Sequence, residues 1–240
     1  MKNGKIILLT VLFLFSTAPL FANTSITGYY GYFTIPITNT PSRGAIHINT
    51  GYIFTPGNFY ISMNTSVLKN WELSAGKEIL TGEGQEISAA PFILGTKYMF
   101  YRKGGFQAAV GLQAELLGKA ANIDGIPVSL YGVISESAGK LGYVNIGLCY
   151  IMGIDAGYAI NFFIGIRKAV IGDKLFAIGE FTNYSIRQDI GLPWDDERGI
   201  FNGGVVLELT DFLKFKFTAY DLLDKFLTVG LGGELRLKVF

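Results

Sequence analysis

Hydrophobic and polar side chains alternate one by one along much of this chain, most cleanly near its end. Leu227, Val229, Leu231, Leu235, Leu237 and Val239 share one face with Gly233, while Thr228, Gly230, Gly232, Glu234, Arg236 and Lys238 share the other. Phe106, Ala108, Val110, Leu112, Ala114 and Leu116 repeat the pattern against Gln107, Ala109, Gly111, Gln113 and Glu115. Leu213, Phe215 and Phe217 stand opposite Lys214, Lys216 and Thr218. A strand, with its period of two, separates such sets; helical spacing would mix them on one surface. Extending this reading predicts twelve strands, over 45–54, 58–67, 71–79, 91–101, 105–118, 127–136, 140–152, 158–167, 174–186, 199–209, 212–220 and 226–240. Most match the length of a tilted membrane strand, about 9–11 residues, better than the shorter soluble strand.

The connections predict a simple up-and-down order. Arg102-Lys103-Gly104-Gly105, Ser137-Ala138-Gly139 and Thr210-Asp211 are tight turns after even-numbered strands. The longer loops 80–90, 119–126 and 187–198 all follow odd-numbered ones. Short turns at one end and long loops at the other is the pattern of outer-membrane barrels. The most apolar stretch past the leader, 141–166, is interrupted by Asn145, Asp155, Asn161 and the turn Gly153-Ile154-Asp155-Ala156-Gly157. It reads as two strands rather than a spanning helix.

Composition sharpens the class. Half the residues are hydrophobic, 16% are charged, and there are 31 Gly, 19 Phe and 13 Tyr. Few charges with many glycines and aromatics suit strands that face lipid. Aromatics gather near predicted strand ends, at Tyr52, Phe54, Trp71, Phe100, Tyr101, Tyr150 and Tyr158, as an interfacial girdle would require. Residues 1–22 read as a cleavable secretory signal: Lys2 and Lys5, an apolar run over 6–15, then Ser16-Thr17-Ala18-Pro19 and a small residue at Ala22. Leaving out Lys2 and Lys5, the remaining chain has one acidic charge in excess, from 20 basic and 19 acidic residues in all. That balance lacks the basic surface of a nucleic-acid binder. The lone Cys149 forbids an internal disulfide and reads as a core or lipid-facing residue, and no Cys/His spacing points to a metal or cofactor.

The polar faces carry the candidate chemistry. Turned inward, they place His47, Asn49, Asn64, Glu72, Glu78, Lys97, Gln107, Gln113, Glu115, Asn145, Asn161, Arg167, Glu208, Lys214, Lys216, Glu234, Arg236 and Lys238 along the lumen. Charges there need water or partners. One reading is a narrow pore for small solutes lined by both signs of charge; the other is a lumen closed by cross-strand ion pairs, a structural barrel. About twelve strands lies between rings that pack solid and rings that leave a channel. A lipid-modifying enzyme would have to use the single His47 with a serine at the lipid-facing rim, and no nucleophile elbow is present, so the expectation is no enzyme. Residues 23–43, rich in Thr, Asn, Pro and Gly, form either a plug or a periplasmic tail ahead of a barrel over 44–240. The loop 188–198 is acidic and carries Trp194. A soluble periplasmic barrel is the architectural rival, and would turn its apolar faces inward.

With these residues laid out, the chain resembles Gram-negative-type outer-membrane barrels. Residues 227–240 form a strong amphipathic strand ending in the aromatic Phe240, similar to the signal read by the barrel assembly machinery. The departure is one of phase: Lys238, Arg236 and Glu234 precede Phe240 at the places where apolar residues are usual. The start, Ile26-Thr27-Gly28-Tyr29-Tyr30-Gly31-Tyr32-Phe33-Thr34-Ile35-Pro36 with Arg43-Gly44, resembles over about twenty residues the opening of YjbH-like barrels. That resemblance implies a polysaccharide-export accessory role. The expectation is thus an all-β, antiparallel transmembrane barrel in a bacterial outer membrane, partnered by its lipid and the assembly machinery. The sequence fixes no oligomeric state.

Overall fold

The computed structural model describes residues 23–25, 28–55, 57–80, 92–116, 126–139, 142–152, 160–183, 199–223 and 227–239. Two short strands come first, β1 (Asn23–Thr24) and β2 (Tyr30–Gly31). Twelve longer ones follow: β3 (Ala45–Ile53), β4 (Asn58–Thr65), β5 (Trp71–Leu80), β6 (Phe92–Lys103), β7 (Phe106–Leu116), β8 (Val128–Ser137), β9 (Tyr143–Met152), β10 (Asn161–Ile171), β11 (Leu175–Thr182), β12 (Ile200–Glu208), β13 (Leu213–Tyr220) and β14 (Thr228–Lys238). Each of the twelve pairs antiparallel with its chain neighbours, and β14 returns to β3, with Glu234 opposite Asn49, so the sheet closes into a barrel. Closure leaves no open edge, which a sheet in lipid requires.

All twelve predicted strands are present, with ends that move for local reasons. The strand predicted over 158–167 runs on to Ile171 through a bulge between Ala169 and Ile171, because the turn waits for Gly172, whose φ is +53°. The strand predicted from 140 starts at Tyr143. Gly142 has a φ of +94°, and a Cβ there would lie 2.1 Å from the Arg167 carbonyl oxygen.

The faces settle the choice between membrane and soluble barrels. Ile61, Met63, Leu73, Leu94, Val110, Leu130, Ile146, Leu148, Ile164, Phe215, Phe217 and Leu231 are exposed on the outside. His47, Asn49, Asn64, Glu72, Lys97 and Glu234 are at most 1% exposed on the inside. A soluble barrel would reverse this, since so broad an apolar exterior is tolerated only against lipid. Among the girdle candidates, Tyr52, Phe54, Trp71, Phe100 and Tyr101 are exposed; Tyr158 lies outside the described residues.

The inner wall differs from the polar lining expected. Ile53, Tyr60, Met99, Tyr131, Val133, Cys149, Phe163, Ile178, Val206 and Tyr220 also point inward and form one apolar cluster with Tyr29, Tyr30, Tyr32, Phe33, Ile35 and Ile37. Apolar side chains occupy the lumen because the N-terminal segment does. The predicted signal 1–22, Phe240, Trp194 and most of the long loops lie outside the described residues.

Candidate functional site

The site is the barrel interior with Ser25 and residues 28–38 seated in it. Ser25, Tyr29, Tyr30, Tyr32, Phe33, Ile35, Ile37 and Thr38 are all 5% exposed or less. The segment folds as a hairpin. Ser25 N–H donates to the Tyr29 carbonyl (2.7 Å), β1 pairs with β2, Tyr32 N–H reaches the Ile35 carbonyl (3.0 Å), and Ile37 N–H reaches that of Tyr30 (3.3 Å). Gly31 is required inside it, since a Cβ would lie 2.2 Å from the Ile35 carbonyl oxygen.

A hairpin alone in a lumen leaves backbone groups unsatisfied, and burial makes each of those costly. The wall supplies the partners. Asn49 Nδ2 donates to the Ser25 carbonyl at 3.2 Å, and Asn64 Nδ2 to that of Gly28 at 2.9 Å. Glu72 accepts the Tyr30 N–H at 2.6 Å while Lys97, paired with Glu72 at 2.7 Å, donates to the Tyr30 carbonyl at 2.9 Å. One ion pair thus brackets both polar groups of one peptide residue. At the tip, Glu180 accepts the N–H groups of Phe33 (3.1 Å) and Thr34 (3.2 Å) and the Thr34 hydroxyl, with Asn202 donating to the same carboxylate at 2.8 Å. Thr38 donates to Gln107 Oε1 at 2.9 Å and bonds Ser135 at 2.7 Å. Asn145 donates to the Tyr32 hydroxyl at 2.6 Å. These contacts come from nearly every side of the ring. Inward-facing glycines make room: a Cβ on Gly165 would lie 2.6 Å from both Ile35 Cδ1 and Tyr32 Cδ2.

A ladder of charges runs along the wall nearest the seam. Glu234 holds His47 Nδ1 at 3.0 Å and Lys216 at 3.1 Å; Lys214 lies 3.3 Å from Glu208, which holds Arg167 at 2.8 Å. The Arg167 guanidinium also stacks on Phe176, 3.7 Å from the ring centroid. Lys216 donates to Asn49 Oδ1 at 3.1 Å, which links the ladder to the plug through Ser25. Pairing of this kind is what buried charges need.

Of the residues the sequence placed on the lumen, Gln113 and Glu115 are buried there too, and Asn161 and Glu208 are partly covered. Arg236 sits at the barrel's end, donating to Ser42 Oγ at 3.0 Å, and Lys238 beyond it is exposed. Sequence reasoning missed Glu180, Ser135 and Asn202. The available signal for Glu180 was an acid in phase with Phe176 and Ile178, but an inward row so apolar reads as no alternation. His47 is buried, packs edge-on to Tyr30 with centroids 5.1 Å apart, and is engaged by Glu234. Its environment is that of a lumen hydrogen-bonding residue. No cluster of His, Cys, Asp and Glu suited to a metal occurs among the described residues.

Closed ring, apolar exterior and polar contacts within define a transmembrane β-barrel with the porin fold. No family model and no curated protein matches the sequence. Among solved structures, a KdgM porin superimposes with a TM-score of 0.56 at 9% identity, over 80% of this chain and 98% of that one. A KdgM porin in complex with disordered oligogalacturonate gives 0.58 at 9% over the same shares. A NanC porin gives 0.53 at 11%, over 79% and 98%. At such identities the likeness is one of fold.

Proposed function

We propose that this protein is a bacterial outer-membrane pore for small solutes whose path is closed by its own N-terminal hairpin. The observation that carries the reading is how the hairpin is held. Its backbone is bound by separate polar side chains of the wall, Asn49, Asn64, Glu72, Lys97 and Glu180, groups that water could solvate once it left. The ring it fills has the fold of the porins it resembles. Planar-bilayer recording tests the proposal. The full chain is expected to conduct rarely, and a variant lacking residues 25–38 to conduct steadily. A deletion variant that inserts as a folded barrel and stays silent overturns it.

A second reading is favoured by the apolar cluster that fills the lumen and by the YjbH-like start around Gly28 and Pro36. In it the barrel is a permanently closed accessory to polysaccharide export. Loss of surface polymer in a deletion strain, with permeability unchanged, is its signature. Neither reading assigns a catalytic group, and His47→Ala is expected to leave lipid turnover unchanged.

A further inference from the structure

A groove of about 220 Å³ interrupts the lipid-facing surface where β5, β6, β7 and β8 lie side by side. Register builds it: Trp71 stands opposite Tyr98, Tyr98 opposite Val110, and Leu112 between Thr96 and Leu130. Thr96 is short where its cross-strand neighbours are long, so it forms the floor. Gly132, across from Val110, leaves open space where a side chain would stand. The floor is polar in composition only. The Thr96 hydroxyl donates to the Glu72 carbonyl at 3.0 Å and accepts the Trp71 indole N–H at 2.7 Å. What the groove presents outward is hydrocarbon, which suits an alkyl chain.

The same strands lead to a basic rim. Lys69 lies two residues before Trp71 and is exposed, as is Lys103 at the end of β6. Lys103 pairs with Phe106 on the outward face, whereas Arg102 pairs with the inward-facing Gln107 and belongs to the barrel mouth. Across the ladder Lys103 pairs with Phe106 and Tyr98 with Val110, four strand residues apart or about 13 Å, which separates headgroup depth from acyl depth. The turns 66–70 and 104–105 hold no acid, and Glu136, near the end of β8, is the exposed acid of this rim among the described residues. We infer that groove and rim together form a site for an anionic phospholipid, with an acyl chain against Trp71 and Tyr98 and the phosphate at Lys69 and Lys103. The inference rests on the membrane-barrel reading but not on whether the lumen conducts.

Trp71 and Trp194 are the two tryptophans of the chain, so Trp194→Phe leaves Trp71 as sole reporter. That variant, in phosphatidylcholine bilayers doped at low mole fraction with brominated-chain lipid, is expected to be quenched about fivefold more effectively by phosphatidylglycerol than by phosphatidylcholine. One basic side chain near an anionic lipid is worth roughly that factor. Adding Lys69→Ala and Lys103→Ala should erase the difference. Equal quenching by the two lipids in the Trp194→Phe protein overturns the site while leaving the barrel assignment intact. Absence of quenching by either lipid, in a protein that stays folded without entering the bilayer, overturns both.

Discussion

Glu180→Ala strips the hairpin tip of the acceptor for two backbone N–H groups and a hydroxyl, and nothing in the wall replaces it. Hydrogen bonds to a charged group are worth about 1.5–3 kcal/mol each, so even one loss shifts the docked-to-undocked ratio by roughly ten- to a hundredfold. Single-channel recording is expected to show frequent openings in Glu180→Ala. A trace as quiet as the parent's would place the hold elsewhere. Glu72→Ala acts differently. It leaves Lys97 buried without its 2.7 Å partner, a loss on the order of 3–5 kcal/mol. The folded, fast-migrating gel band should then vanish at a lower temperature. The exchange Glu72→Leu with Lys97→Met, which removes both charges, should recover most of that loss. Residues of these two kinds were unequally legible. Glu72 sits between the apolar Trp71 and Leu73, so its phase names its face. Glu180 shares its face with Phe176 and Ile178, and only the seated hairpin explains why that row is apolar.

At the level of elements, the strands could be read because lipid outside and polar contacts inside impose opposite demands on successive residues. The hairpin could not be placed that way. Its binding surface is assembled from side chains on β3, β4, β5, β6, β7, β8, β9, β11 and β12, which no local pattern connects. Tyr29, Tyr30, Tyr32 and Pro36 suit a tail as well as a plug. If that surface recognises the hairpin as a ligand, a synthetic peptide of residues 23–38 added to the deletion variant should block its conductance. The same peptide should fail against a deletion variant carrying Gly165→Leu, whose side chain would take the space of Ile35 and Tyr32. Block in both would show adsorption rather than docking.

The molecule as a whole presents apolar side chains outward along every one of its twelve barrel strands. That exterior exceeds what a soluble protein tolerates. The purified chain is expected to be monodisperse in detergent and to aggregate when detergent is withdrawn, as size-exclusion chromatography would show. A monodisperse particle in plain buffer would contradict the faces described.

The way residues 39–44 leave the lumen has a kinetic consequence. They reach β3 through a turn in which Ala45 N–H donates to the Ser42 carbonyl at 2.9 Å, beside the closure of β14 on β3, where Val239 N–H donates to the Gly44 carbonyl at 2.9 Å. Six residues fully extended span about 20 Å, so a released hairpin stays leashed near its seat. Linkers this short give millimolar-scale effective concentrations, and recapture is then fast at any protein dilution. In the proposed gated pore each opening is therefore a brief event, and lasting passage would require something to occupy the vacated seat.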